Sequence, residues 1–371
     1  MTLGNWYNAH IHQGCCLIFG IWTYKYSTEI TLMHLFKRNT KSSLLLNFIF
    51  WLLFLIIVCI TLLSLASSFG WNVLLELFSH FKLQYLILNI LLFCLLLLTR
   101  NKLFIIISIF CLAILIAEII TWHIPQTALP VNTSANLRVL SSNVNTKNQS
   151  YSKVLSLVRQ EQPDIALFME IDESWAKQLN SLRDSLPYSI VKANPYNLGI
   201  AVYSKRKLEN ASAEFFGATN NPTIVGNLTI NGQVVSLIGT HPPPPKPGLL
   251  FQTRNKQLDQ ISQYIKSRSN TVVMVGDLNI TMWSRYYKRF ISTTRLKNAR
   301  QGFGTLPTWP TKTNYPPYSR IPSLVTWLLS IPIDHCLISP DIKVVNIRTG
   351  PNVGSDHRPL ITDLIIPEKK G

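Results

Sequence analysis

Three runs of apolar residues dominate the first third of the chain: Leu44–Leu65, Leu83–Leu98 and Leu103–Trp122. A helix needs about 20 residues to cross a hydrocarbon core of ~30 Å, and it satisfies its own backbone hydrogen bonds on the way, so each run reads as a candidate span. The second run is the weakest, because Lys82 and Gln84 stand at its start, and a hairpin buried in a soluble core is the alternative there. After Trp122 the pattern changes. Residues 123–136 contain Pro125, Pro130 and several small polar residues and read as a linker. From Leu137 short β-branched runs alternate with amphipathic stretches. Leu137–Ser142, Asp164–Met169, Gly199–Ser204, Gln233–Gly239, Val272–Val275, Ile333–Ile338 and Leu360–Leu364 predict strands, and Lys153–Gln160, Glu173–Leu182 and Thr253–Lys266 predict helices. The expected division is an N-terminal cytoplasmic segment (1–43), three transmembrane helices (44–122), the linker (123–136), and an α/β domain (137–367) of two packed sheets flanked by helices.

Charge adds an orientation. Lys37, Arg38 and Lys41 precede the first run and Arg100 and Lys102 follow the second, whereas Ala66–Phe81 and His123–Asn136 contain no Lys or Arg. Since Lys and Arg accumulate on the cytoplasmic side, the N-terminus is expected inside and the α/β domain outside. In a Gram-negative cell this describes a multi-pass inner-membrane protein with a periplasmic domain. No small-residue cleavage pattern follows the first run, which argues against a cleaved signal peptide. Residues 1–32 read poorly as signal or as domain, and Met33 is a plausible start. Residues 131–371 hold 28 Lys+Arg against 15 Asp+Glu, a net +13 of the chain's +17. Such a domain attracts polyanions, nucleic acid or an anionic lipid surface, although a general basic bias gives the same count. Of the six cysteines only Cys336 falls in the α/β domain, in a strand-like stretch where a small core residue is the plain reading.

Candidate chemistry sits at the strand ends. Asn143 closes Leu-Ser-Ser-Asn, Glu170 follows Leu-Phe-Met, and His241 follows Ile-Gly-Thr. Asp277 and Asn279 lie in Gly-Asp-Leu-Asn, Asp334 and His335 in Ile-Asp-His, and Asp356 and His357 in Ser-Asp-His. Each alone has an ordinary reading as a turn, cap or loop residue. Together they do not, because charged groups terminate hydrophobic strands at a cost unless they are paired or liganded.

This ordered set resembles the motifs of the endonuclease/exonuclease/phosphatase (DNase I-like) superfamily, over about residues 137–367. Trp283, the Thr308-Trp309-Pro310 segment and the Pro-rich run after His241 look like its bacterial branch with membrane-spanning N-termini. The resemblance implies a four-layer αββα sandwich and hydrolysis of phosphoester bonds with Mg²⁺ (or Mn²⁺). It implies Glu170 as principal metal ligand, with Asn143 and Asp356 beside it. Asp277 would orient or deprotonate the attacking water, and Asn279 would hold a phosphate oxygen or the nucleophile. His357, oriented by Asp334, would face the scissile phosphate, and His241 would supply a second imidazole, either as leaving-group acid or as a phosphate donor; the resemblance leaves open which of Asp277, His241 and His357 is base and which is acid. Asn145 stands where some nuclease members carry an acid, which leaves one fewer carboxylate; His335 reads as structural and Arg358 as a packing or pairing residue. The implied function is a membrane-anchored phosphodiesterase or phosphatase acting on an extracytoplasmic nucleic acid or phospholipid headgroup, with the bilayer as partner and no protein partner. The alternative is a catalytically inactive domain of the same fold used for binding or envelope scaffolding. The apolar stretch Pro317–Leu329 reads as a contact to membrane or substrate, or as a core helix or lid.

Overall fold

The computed structural model describes residues 40–125, 133–217 and 220–368, with side chains from Leu44 onward. The region around Met33 and most of the linker lie outside them. The chain opens with α1 (Thr40–Ser67), α2 (Val73–Ser79), α3 (Lys82–Leu96) and α4 (Lys102–Ile120). Three segments, Leu44–Ser67, Lys82–Thr99 and Lys102–Ile120, are long and apolar enough to cross a membrane, with mean hydropathies of 3.0, 2.0 and 3.0. Asn72 caps α2 by accepting from the Leu75 N–H (2.9 Å), and Asn101 caps α4 by accepting from Leu103 N–H and Phe104 N–H. The long helices pack through Phe54 and Phe104, whose stacked rings lie 4.4 Å apart.

Lys82, which interrupts the second apolar run in the sequence, has partners that reverse its meaning. Its ammonium is buried and donates to Glu118 Oε1 (3.0 Å), to Ser68 Oγ (2.9 Å) and to both oxygens of Ser64, and Ser64 Oγ in turn donates to Glu118 Oε2 (2.8 Å). One cluster thus ties together the end of α1, the start of α3 and the end of α4.

The α/β part consists of two six-stranded mixed sheets. The first contains β1 (Leu137–Asn143), β2 (Ile165–Met169), β3 (Tyr188–Lys192), β4 (Ile200–Ser204), β11 (Lys343–Thr349) and β12 (Leu360–Ile365), in the order β11-β12-β1-β2-β4-β3. The second contains β5 (Glu209–Glu214), β6 (Thr223–Ile230), β7 (Gln233–Thr240), β8 (Thr271–Asp277), β9 (Lys297–Asn298) and β10 (Asp334–Ile338), in the order β5-β6-β7-β8-β10-β9. Each sheet has one parallel pair at its centre, β1/β2 and β7/β8. Val139, Leu167 and Val202 of one sheet meet Leu237, Val273 and Val275 of the other in the core between them. Helices α5 (Tyr151–Glu161) and α6 (Glu173–Leu179) cover the first sheet through Val154, Leu157 and Trp175. The second is covered by α7 (Leu249–Lys266) and α8 (Arg285–Thr294) through Leu258, Ile261 and Phe290. This is the four-layer αββα sandwich. Ile119, Leu83, Leu86 and Trp122 of the apolar helices join the outer core over the second sheet, so the helical region packs directly on the sandwich.

His335 is structural in this framework. Its Nε2–H donates to Ile280 O (2.7 Å) while Nδ1 accepts from Asn298 Nδ2 (3.1 Å), an arrangement that only the neutral ring satisfies. Burial, helped by the Arg300 guanidinium, lowers its pKa to about 3. Below about pH 6.5 the unfolded ring takes up a proton that the folded ring refuses, so this site destabilises the fold progressively as pH falls from there toward 3. We expect His335→Gln to lower the Tm at neutral pH in detergent yet to flatten its fall on acidification, because glutamine has no proton to take up. Equal acid-induced losses in both proteins would refute this reading of His335.

Candidate active site

Strand direction brings the polar residues together. β1, β2, β7 and β8 run toward one end of the sandwich, and β10 and β12, antiparallel to β8 and β1, start from that same end. Asn143 and Asp277 are the last residues of their strands, Glu170 and His241 come one residue after theirs, Asp334 begins β10, and Asp356 and His357 lead into β12. The register places Asp334 directly opposite Asp277. Gly276 makes this possible: it sits at φ +150°, and a Cβ there would lie 1.8 Å from Thr240 O, so only glycine lets β8 approach the end of β7. Three site residues, Asn145 (φ 59°), Glu170 (φ 60°) and Asn279 (φ 51°), adopt left-handed backbone. Asparagine tolerates this and glutamate seldom does, so the surrounding structure must hold Glu170 there.

The side chains form one buried network. His357 Nδ1–H donates to Asp334 Oδ2 (2.9 Å), and its Nε2 lies 3.6 Å from Asp277 Oδ2. Burial pulls the His357 pKa down, but the Asp334 and Asp277 carboxylates outweigh burial and lift it to about 10, so the ring carries a proton. Asp334 is held below the usual carboxylate range: burial opposes ionisation, but the imidazolium more than compensates. Asp277 is raised to about 7 by burial, against the attraction of His357. Burial and the His357 charge lower His241 to about 4, leaving it neutral; its Nε2 lies 3.5 Å from Asp277 Oδ2 and 3.3 Å from Asn279 Nδ2. Asn143 Nδ2 donates to Glu170 Oε1 (2.9 Å) and Asp277 Oδ2 (3.2 Å). In this orientation Asn143 is a donor to the carboxylates, and ligation of a cation through its oxygen requires the opposite amide orientation.

Asp277, Asp334 and His357 offer ligand atoms within 4.8 Å of one another. That triad suits a cation poorly, since Nδ1 of His357 is engaged by Asp334 and the ring is protonated. Glu170 fits better. Its Oε2 is buried without a hydrogen-bond partner, and burial together with the nearby Asp356 charge raises its pKa to about 8. A buried carboxylate with an unsatisfied oxygen, in the field of a second acid, is the kind of donor set that a hard divalent cation neutralises.

The sequence pattern matches a family model, the Endonuclease/Exonuclease/phosphatase family, over residues 133–357. The chain belongs to this family. Among solved structures, the human Nocturnin catalytic domain with bound sulfate anion superposes with a TM-score of 0.51 at 19% identity, covering 62% of this chain and 93% of that one. Humanized D. rerio TDP2 gives 0.50 at 16% identity, covering 62% and 99%, and C. elegans TDP2 gives 0.50 at 18%, covering 64% and 78%. No curated protein matches. Members of the endonuclease/exonuclease/phosphatase family are metal-dependent phosphoesterases, and this chain is an enzyme of that class.

The structure brings all eight sequence-predicted residues, Asn143, Glu170, His241, Asp277, Asn279, Asp334, Asp356 and His357, to one end of the sandwich. It also adds residues that sequence reasoning missed. Asp356 accepts from Asn145 Nδ2 (2.9 Å), Trp309 Nε1 (3.2 Å) and Tyr315 O–H (3.3 Å). Asn145, read from sequence as a missing acid, therefore orients the acid that remains. The second addition reaches outside the sandwich. Arg254 Nη1 donates to Asn279 O (3.1 Å) and Nη2 to Glu76 Oε1 (3.0 Å), and Ser284 Oγ donates to the same carboxylate (2.7 Å). Trp283 Nε1 donates to Glu118 O (3.2 Å), and the Thr281 hydroxyl pairs with His80 Nδ1 (3.0 Å). The loop carrying Asp277 and Asn279 is thus held from behind by the apolar helical region.

Glu76 and Arg254 are both fully buried. Removing one partner of such a pair leaves an uncompensated charge and costs ~3–5 kcal/mol. We expect Glu76→Gln to lower the Tm strongly and to reduce hydrolysis of bis-nitrophenyl phosphate, and Glu76→Leu with Arg254→Met to recover part of the Tm. An unchanged Tm in Glu76→Gln would refute the latch.

Proposed function

We propose that this enzyme is a membrane-anchored, Mg²⁺-dependent phosphodiesterase or phosphatase, held in the inner membrane by three spans with its active site on the periplasmic face. The observation that carries the chemical part is Glu170 Oε2, a buried carboxylate oxygen with no partner beside a second acid. The anchoring rests on the three long apolar helices, and the orientation on Arg100 and Lys102 following the second span while Ala66–Phe81 carries no Lys or Arg. The substrate is a phosphoester presented on that face, a nucleic acid or a phospholipid headgroup, and a net +13 domain suits either polyanion or anionic surface.

Glu170 and Asp356 would hold the ion, with Asn143 beside them. When bound, the ion supplies Lewis-acid charge to the phosphoryl oxygens and lowers the pKa of water. Asp277 orients the attacking water and takes its proton as the new P–O bond forms and the ester P–O bond breaks. Protonated His357, fixed by Asp334, presents Nε2–H to a phosphoryl oxygen on the same side as Asp277; the leaving oxygen, on the far side of phosphorus, takes its proton from solvent. Asp277 releases to solvent the proton it has taken from the water, which balances the proton taken up by the leaving oxygen. His241 and Asn279 donate hydrogen bonds to phosphoryl oxygen.

Three outcomes are expected. Mg²⁺ raises the Tm of the wild type and not of Glu170→Gln, whose metal-free form is the more stable because it buries no ionisable carboxyl. Losing several kcal/mol of Lewis-acid stabilisation lowers Glu170→Gln turnover on the order of a hundredfold or more. Hydrolysis that persists in EDTA, or in Glu170→Gln, would remove the metal from the mechanism; a folded wild type that binds Mg²⁺ without hydrolysing any phosphoester would favour the scaffolding role. For topology, an alkaline phosphatase fused at Gly371 should be active and a fluorescent protein there dark, and the reverse pattern would overturn the orientation.

A further inference from the structure

The short helix α9 (Ser323–Leu328) is amphipathic in the wrong sense for a soluble protein. Its polar Thr326 is buried at 2% exposure, while Leu324 is 65% and Trp327 62% exposed, and Leu329 just beyond is 45% exposed. A surface helix packed on a core turns its apolar side inward. Here the apolar side faces away from the protein.

Its surroundings say what it faces. The C-terminal end of α9 is pinned to the start of the second candidate span: Gln84 Nε2 donates to Leu328 O and to Ser330 O, both at 3.0 Å. Gln84 lies inside the apolar segment Lys82–Thr99, so the exposed side chains of α9 continue the apolar surface of that segment. Residues 311–333 contain no Asp or Glu, and exposed Arg320 stands three residues before α9. In the connection that follows α1, Trp71 is 71% exposed and stacks on Phe69 with ring centroids 5.2 Å apart, and exposed aromatic residues just beyond an apolar helix are those that gather at membrane boundaries. The segment leading into α9 begins at the site, with Trp309 and Tyr315 on Asp356.

We propose that α9 is a monotopic membrane contact: Leu324, Trp327 and Leu329 lie in the outer leaflet beside the second span, with Arg320 at the lipid phosphates, so that the wall of the active site rests on the bilayer surface. The inference rests on the membrane placement proposed above and adds a second, independent attachment next to the site.

The test uses the full chain, fluorotryptophan-labelled, in phosphatidylcholine nanodiscs, with the Trp327 and Trp51 fluorine resonances assigned by Trp327→Phe and Trp51→Phe. Trp51 lies in the first span and is the control for anchoring. The Trp327 resonance should lose most of its intensity to a lipid spin-labelled near its headgroup and little to a water-soluble relaxation agent. Leu324→Asp should reverse that preference while leaving the Trp51 resonance unchanged. If Trp327 responds only to the soluble agent while Trp51 responds to spin-labelled lipid, α9 is not a membrane contact and the anchoring stands. If both respond only to the soluble agent, the anchoring itself fails and this inference with it.

Discussion

The buried ion pair between Glu76 and Arg254 is the constraint on which the rest of the molecule turns. Neither charge is solvated, so each depends on the other, and Arg254 spends its second nitrogen on the backbone oxygen of Asn279. A pair of this kind offers little net stability against an apolar replacement, yet it penalises any arrangement in which the two partners are apart. The helical region and the sandwich are therefore not a tether and a cargo. Trp283, Thr281 and Ser284, all within seven residues of Asp277, have their partners on the helical side, and a sandwich cut free of it would expose Leu83- and Trp122-facing core as well as an unpaired guanidinium.

At the other end of that loop the electrostatics point to a site incomplete by itself. Four carboxylates and two imidazoles share a buried strand end, one imidazole carries a proton, and Glu170 sits in a left-handed backbone conformation with an oxygen unsatisfied. The fold sustains this because six strands converge there and their registers leave the side chains no alternative. Unsatisfied charge and backbone strain at one place are what a preformed receptor for a cation and a phosphate requires.

Much of this was legible in the sequence, and the exceptions have physical causes. Central strands such as β1, β2, β7 and β8 are buried on both faces and read as apolar runs. The strands missed are β3, β5, β9 and β11 at sheet edges, and β6, which Gly226 and Asn227 interrupt. Edge strands such as Glu209–Glu214 are half polar because one side meets water, so they carry little periodic signal. The candidate site residues were visible because each is a polar group at or near the end of an apolar run. The roles of their supporters were not: Trp309 was noticed only as part of a family-like segment, Tyr315 and Trp309 reach Asp356 from more than forty residues away, and Glu76 reaches Arg254 across 178. Lys82 shows the same limit, since its partner Glu118 is 36 residues distant and nothing local marks it as paired.

That separation of 178 residues also orders events in time. Glu76 belongs to the hairpin between the first two long apolar helices, which is synthesised before α7. While translation continues, the nascent hairpin displays a solvated acid with no mate, and only a sandwich completed through α7 can cover it. The pair therefore cannot form until the chain has been made through α7, and the hairpin reaches its final packing only together with the sandwich.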